Sequence, residues 1–190
     1  LIAGPIVIIT ACVQPPQAPQ ERFDVVEAGI PEIQRALAEG RVTSRQLVDR
    51  YLERIGLYEL DLNATMAVNP QAQVLADELD AERRAGTIRG PLHGIPIALK
   101  DNIHTIDMPT TGGAVAFEGY VPPSDATIVE NLQNAGATIF AKTTLTELAN
   151  WVATGMPDHY NATPGHAMNP YAPRLHPRPP LGAGRPAVSP

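Results

Sequence analysis

Apolar residues recur every three or four positions in three stretches of the first half of the chain, which is the spacing of one face of an α-helix. The second stretch opens with Thr43-Ser44-Arg45-Gln46, the pattern of a capping box. Gly40 and Gly86 follow the first and third stretches, where glycine commonly ends a helix. A short strand is predicted over Leu62 to Val68. The three predicted helices are Val25 to Glu39, Thr43 to Ile55, and Asn69 to Arg84.

The periodicity changes after Gly90. Gly94 to Lys100 is an apolar run of strand length that ends on a single lysine, and Thr138 to Lys142 is a second short apolar run. Between them, Ser124-Asp125 is predicted to cap a helix, and Thr144 to Val152 is predicted to form a further helix. Strands that alternate with helices predict an α/β fold, in which a parallel or mixed sheet is covered by helices.

Composition and charge narrow the classes of function. Forty-four per cent of the 190 residues are apolar and 18% are charged, which is typical of a globular protein with a core. The formal net charge is −6 and no run of basic residues occurs, so a nucleic-acid partner is not expected. The five histidines and the single cysteine lack the spacing of metal ligands, and neither a metal nor a cofactor is predicted.

The first twelve residues differ from the rest of the chain. Residues 1–9 are apolar and uncharged, too short to span a membrane but suited to the core of an export signal. Ile9-Thr10-Ala11-Cys12 resembles a bacterial lipoprotein box, with the Pro- and Gln-rich residues 13–20 as a tether. We therefore expect an exported protein, periplasmic or anchored to the envelope through a lipidated Cys12. A buried strand with a chance cysteine is the alternative.

Two lysines are candidates for chemistry, because each stands at the end of a predicted strand, where α/β proteins commonly place their sites. For Lys100, a catalytic amine, a salt bridge and a surface position are all open from the residues alone. Lys142 is its chief rival. Asp101 is expected to anchor the loop that follows, since its side chain points away from that of Lys100. The loop Pro109 to Gly113 is read as a turn, with a backbone anion site as the alternative.

Several motifs, in their order and spacing, make the sequence similar to the amidase signature family over about residues 24 to 190. The resemblance implies one large mixed sheet covered by helices. It also implies hydrolysis or transfer of amides through a serine nucleophile, a bridging serine preceded by a cis peptide bond, and a lysine. The motifs are Gly90 to Asn102, Pro109-Thr110-Thr111-Gly112, Ser124-Asp125-Ala126, Gly136-Ala137, Lys142-Thr143-Thr144, Thr146-Glu147-Leu148-Ala149 and Met168-Asn169-Pro170-Tyr171.

The resemblance assigns roles residue by residue. Lys100 matches the family's catalytic lysine, and Lys142 falls in a structural segment. Three residues match positions that line the acyl pocket, although an indole packed in the core or against the loop is an equal alternative for the last of them. They are Ala149, Asn150 and Trp151.

Neither serine of the family's relay has a counterpart in this sequence. Both belong to glycine-rich segments, and Gly184 to Pro190 resembles only the approach to the first of these. Ser189 lacks the flanking glycines and a second serine, so it is not taken as the nucleophile. The predicted division is a leader and linker at 1–20, the N-terminal part of an amidase domain at 21–156, and a proline-rich segment at 157–190.

These observations lead to one expected function and one alternative. In the full-length parent we expect hydrolysis of the C–N bond of a small carboxamide or linear amide by a Ser-cisSer-Lys relay, and no turnover by the 190-residue chain alone. The alternative is a non-catalytic protein of the envelope that binds a ligand. An amidotransferase component that works on aminoacyl-tRNA fits poorly with an export signal and an acidic chain.

Overall fold

The computed structural model describes residues 22–151 and 155–173. Four α-helices and five strands form in these residues, with two short 3₁₀ turns at Val115–Phe117 and Glu147–Asn150. The elements in chain order are α1 Ile30–Ala38, α2 Ser44–Leu62, β1 Thr65–Val68, α3 Ala72–Arg84, β2 Pro96–Lys100, α4 Thr127–Asn134, β3 Thr138–Thr143, β4 Tyr160–Asn161 and β5 Gly165–His166.

Strand β3 is the centre of a three-stranded mixed sheet with the order β1-β3-β2. It pairs with β2 in parallel and with β1 in antiparallel fashion. Phe140 and Ala141 pack against residues of α2 and α3, while Ile139 packs with Val129 of α4 on another side of the sheet. Helices therefore cover the sheet, and the predicted α/β class is confirmed.

The start of α2 shows how its sequence fixes the packing of two helices. The Oγ1 atom of Thr43 accepts from the backbone N–H of Gln46 at 3.1 Å, and the Gln46 side chain accepts from the Thr43 N–H at 3.1 Å, so the predicted capping box is present. The buried Asp80 of α3 also accepts from the N–H groups of Ser44 at 2.8 Å and Arg45 at 3.0 Å. Because a carboxylate there meets the positive end of the helix dipole, it ties α3 to α2.

Two predicted features are wrong. Ser124-Asp125 does not cap α4, because the N-cap is Ala126 and Asp125 instead accepts from the N–H of Ile106 at 2.9 Å. Thr144 to Val152 does not form a regular helix over its described residues. The backbone N–H of Leu148 donates to the carbonyl of Gly112 at 2.7 Å, and this tertiary bond accompanies a left-handed turn over residues 148–150.

Gly136 provides a test of how closely α4 and the approach to β2 are packed. Its φ is +92°, and a Cβ atom there would lie 2.6 Å from the Cα of His93. Gly86 has a similar φ of +82° but open space around it. We expect Gly86→Ala to cost about 1 kcal/mol through backbone strain alone. Gly136→Ala should cost about 1–3 kcal/mol more because of the added overlap.

Urea unfolding of both variants, followed by circular dichroism, measures this difference. Gly86→Ala is the matched control for the left-handed backbone. Equal losses of unfolding free energy in the two variants would show that the contact between Gly136 and His93 is not tight.

Candidate functional site

The chain contains two lysines, and the structure places them on neighbouring strands at one end of the sheet. Leu99 of β2 lies opposite Lys142 of β3, and Lys100 lies opposite Thr143. Because side chains alternate along a strand, partners in register share a face and their neighbours face the other way. Lys100 and Lys142 therefore point to opposite faces of the sheet, although they are nearly adjacent along it.

Lys142 is fully buried and its amine is committed to three partners within the chain. Its Nζ donates to the Oγ1 of Thr110 at 2.8 Å and to the carbonyl of Pro109 at 3.3 Å, and lies 3.5 Å from Oδ1 of Asp101. Burial lowers the pKa of the Lys142 amine, and the carboxylate of Asp101 acts in the opposite direction. An ammonium has three N–H groups, so these contacts use all of its donors. This environment supports the structural role expected for Lys142.

Asp101, which follows Lys100, anchors the next loop as predicted. It is 1% exposed, and its Oδ2 atom accepts from both the N–H of Thr111 at 3.0 Å and the Oγ1 of Thr111 at 2.6 Å. The ion pair between Asp101 and Lys142 was not predicted. The pair forms because the two residues stand near the ends of strands that pair in parallel. Sequence alone does not reveal which strands pair.

The loop Pro109 to Gly113 is a closed turn. The N–H of Gly112 donates to the Asp101 carbonyl at 3.3 Å, the N–H of Gly113 to the Oγ1 of Thr111 at 3.0 Å, and the N–H of Ala114 to the Thr111 carbonyl at 3.1 Å. The backbone donors that a bound anion would need are therefore already engaged, either within the loop or with neighbouring residues such as Asp101. This geometry supports the turn and not the anion site.

Lys100 differs from Lys142 in its burial and in its hydrogen bonding. Its side chain is exposed, whereas its neighbours Leu99 and Asp101 are 6% and 1% exposed. Within the part of the chain that the structure describes, its amine makes no hydrogen bond and no ion pair. The described residues do not bury this amine, because Lys100 lies on the same uncovered face of β2 as the exposed Ala98, whereas Leu99 lies on the covered face. The backbone of Lys100 is fixed, and its amine is uncommitted.

The predicted pocket residues form an exposed turn. Ala149 and Asn150 have φ values of +55° and +66°, and Trp151 is 88% exposed. The alternative in which the indole packs in the core or against the loop is therefore wrong. The bond from Leu148 to the Gly112 carbonyl joins this turn to the loop that Asp101 anchors. A role for the three residues in binding substrate stays a prediction.

Other predicted features concern metals, membranes and the termini. No group of three or more His, Cys, Asp or Glu side chains within residues 22–151 and 155–173 has the geometry to hold a metal ion. No helix in these same ranges combines the length and apolar character needed to cross a bilayer.

Buried His93 contacts the Leu79 carbonyl through Nε2 at 3.0 Å and accepts from the N–H of Arg89 through Nδ1, so it is structural. Cys12 and Ser189 lie outside the described residues.

Comparison with known proteins matches this chain both to amidases and to A subunits of glutamyl-tRNA(Gln) amidotransferases. Residues 46–177 match the sequence profile of the family described as Amidase. A putative amidase of Schizosaccharomyces pombe is 38% identical over 152 residues, which cover 80% of this chain and 26% of the relative. A putative amidase of Arthroderma benhamiae is 34% identical over 149 residues, which cover 78% of this chain and 25% of the relative.

The similarity extends to solved structures. The native peptide amidase from Stenotrophomonas maltophilia matches with a TM-score of 0.74 and 39% identity, covering 76% of this chain and 30% of that protein. This chain thus spans between a quarter and a third of the length of these three proteins.

Proposed function

This chain belongs to the amidase signature family, and from that premise we propose that it carries the lysine of an amide-hydrolysing relay whose serines are supplied by the rest of a longer parent. The parent hydrolyses the C–N bond of a small carboxamide or linear amide. One observation carries the assignment to Lys100: of the two lysines in the chain, it alone has an amine without a partner among the described residues, at the end of a fixed strand.

The proposed reaction requires the uncharged form of the Lys100 amine. An ordinary lysine has a pKa of about 10.4, so it is a poor base at neutral pH until burial or neighbouring donors favour the neutral amine. In the parent, the amine takes the proton of the bridging serine, which in turn takes the proton of the nucleophilic serine. The serine oxygen attacks the amide carbonyl, the C–N bond breaks, and the relay returns a proton to the leaving amine.

Water then completes the cycle. It adds to the acyl-serine ester, its proton enters the same relay, and the carboxylic acid leaves as the serine is regenerated. The sequence has no counterpart of either glycine-rich serine segment. The 190-residue chain alone is therefore expected to have no turnover, since the base has no hydroxyl from which to remove a proton.

The test is an assay of the parent polypeptide and of the 190-residue chain against a panel of amides. The panel holds an aliphatic carboxamide, an aryl carboxamide and a C-terminal peptide amide, the last because a peptide amidase is among the similar structures. Release of ammonia, together with formation of a hydroxamate when hydroxylamine is added, supports acyl transfer by the parent. An inactive parent would support the ligand-binding alternative. Turnover by the 190-residue chain would refute the proposal that the serines of the relay are supplied from outside this chain.

Envelope attachment is a proposal that rests on the sequence of residues 1–20 alone. Incorporation of labelled palmitate in a bacterial host, abolished by Cys12→Ala, supports it. Equal labelling of the wild-type chain and the variant would count against a lipidated Cys12.

A further inference from the structure

The residue after Lys100 is held at every polar group it has. The Asp101 N–H donates to the Thr143 carbonyl at 3.0 Å, and its carbonyl accepts from the N–H of Gly112 at 3.3 Å. Its Oδ1 atom faces the Lys142 amine at 3.5 Å, and Oδ2 accepts two hydrogen bonds from Thr111. Asp101 therefore fixes the end of β2 to a neighbouring strand and to a loop at the same time.

Thr111 connects this anchor to the surrounding segments. Its Oγ1 atom donates to Asp101 at 2.6 Å and accepts from the N–H of Gly113 at 3.0 Å. The Gly113 carbonyl in turn accepts from the N–H of Ala162 at 3.2 Å and from the Oγ1 of Thr163 at 3.3 Å. A continuous set of hydrogen bonds thus runs from the end of β2 through one threonine hydroxyl to the β4–β5 hairpin.

Lys100 has no such restraint on its own side chain. Its amine has no polar partner among the described residues, and a lysine side chain has four rotatable bonds. The position of its backbone therefore sets where the amine can reach. A general base works only within hydrogen-bond reach of its proton, and a displacement of about 1 Å can lower a rate by about 10²-fold.

We propose that Asp101 and Thr111 are positioning residues for Lys100, acting through the backbone at the end of β2. This inference rests on the proposed function of Lys100 as a base. The rate of turnover then depends on the buried hydroxyl of Thr111, which does not itself touch the substrate.

Thr111→Val in the parent enzyme is the decisive variant, because it keeps the size of the side chain and removes both Oγ1 hydrogen bonds. We expect kcat for amide hydrolysis to fall by about 10- to 100-fold, with KM changed less than about threefold, since the loss affects the reacting geometry and not uniform substrate binding. Thr111→Ser, which retains the hydroxyl, should restore most of kcat. Thr111→Ala removes the same hydroxyl without adding bulk, and gives the answer if the valine variant does not fold.

Thr105→Val is the matched control. Thr105 is also 1% exposed and lies nearby along the chain, but its Oγ1 atom donates to the Met108 carbonyl at 3.3 Å and not to Asp101. This variant should lower Tm by several degrees and leave kcat within about twofold of the wild type, because a typical buried hydrogen bond contributes to stability wherever it lies.

The outcomes separate this inference from the proposed function. If Lys100→Ala abolishes turnover but the hydroxyl-free variants of Thr111 keep the wild-type kcat, the positioning role is refuted and the base assignment stands. Failure of Thr111→Ser to restore kcat would also refute it, because the hydroxyl would then not be the cause. If Lys100→Ala retains full activity, the proposed function itself fails.

Discussion

Lys100→Ala is expected to lower kcat/KM for amide hydrolysis by the parent enzyme by about 10²- to 10⁴-fold, the usual contribution of a positioned general acid or base. The fold should be unaffected. Lys100 is exposed at the edge of the sheet, and its amine makes no polar contact with the described residues, so its removal breaks no internal bond. Steady-state kinetics together with thermal unfolding on the same preparations measure both effects.

Lys100→Arg distinguishes a base from a fixed positive charge. A guanidinium keeps the charge of a lysine but does not lose its proton in proteins, so it cannot take a proton from a serine. We expect the arginine variant to be as inactive as the alanine variant. If arginine restores turnover, the role of residue 100 is electrostatic, and the proposed relay is incorrect.

Lys142→Met is expected to lower the free energy of unfolding by about 3–5 kcal/mol, the cost of removing one partner of a buried ion pair. The variant would leave the carboxylate of Asp101 buried without its countercharge, and would remove the hydrogen bonds that Thr110 Oγ1 and the Pro109 carbonyl accept from the amine. The methionine fills nearly the same volume, so the loss reports on charge and hydrogen bonding more than on packing. Urea unfolding of the 190-residue chain provides the measurement.

Two further variants define this effect. Lys100→Met applies the same chemical change at an exposed position, and should alter stability by about 0.5 kcal/mol or less. The double variant Lys142→Met with Asp101→Asn removes both charges, while the amide oxygen continues to accept from Thr111. It should recover part of the loss, because the unpaired charge is gone. Similar losses for the two single lysine variants would contradict the assignment of Lys142 to the interior.

The helices and the central strand were predictable because each is specified by local pattern. The capping box at Thr43 and the apolar run of β3 occur where the sequence places them. The segment after β3 was not predictable in this way. Its apolar residues have helical spacing, but the backbone N–H of Leu148 donates to the Gly112 carbonyl instead of to a helical partner. The left-handed turn that forms is therefore set by this tertiary contact and not by local helix propensity.

In the site, too, the features set by local sequence were predictable and those set by tertiary contacts were not. The position of Lys100 at the end of a strand and the anchoring role of Asp101 follow from the sequence, and the structure contains both. The exposure of Lys100 could not be read from its apolar run, because it depends on which face of β2 is covered by packing, and that is the face of Leu99. The burial of Lys142 could not be read either, since its partners Asp101 and Thr110 are far from it along the chain.

The two lysines have different roles: the Lys142 amine is buried and bonded within the chain, and the Lys100 amine is exposed and can contact a partner. Acetylation of the native 190-residue chain, resolved by mass spectrometry, tests this most directly because these are its only two lysines. Lys100 should be modified rapidly under native conditions, and Lys142 only as the chain unfolds in urea. Rapid modification of Lys142 in the native chain, or protection of Lys100, would contradict the account.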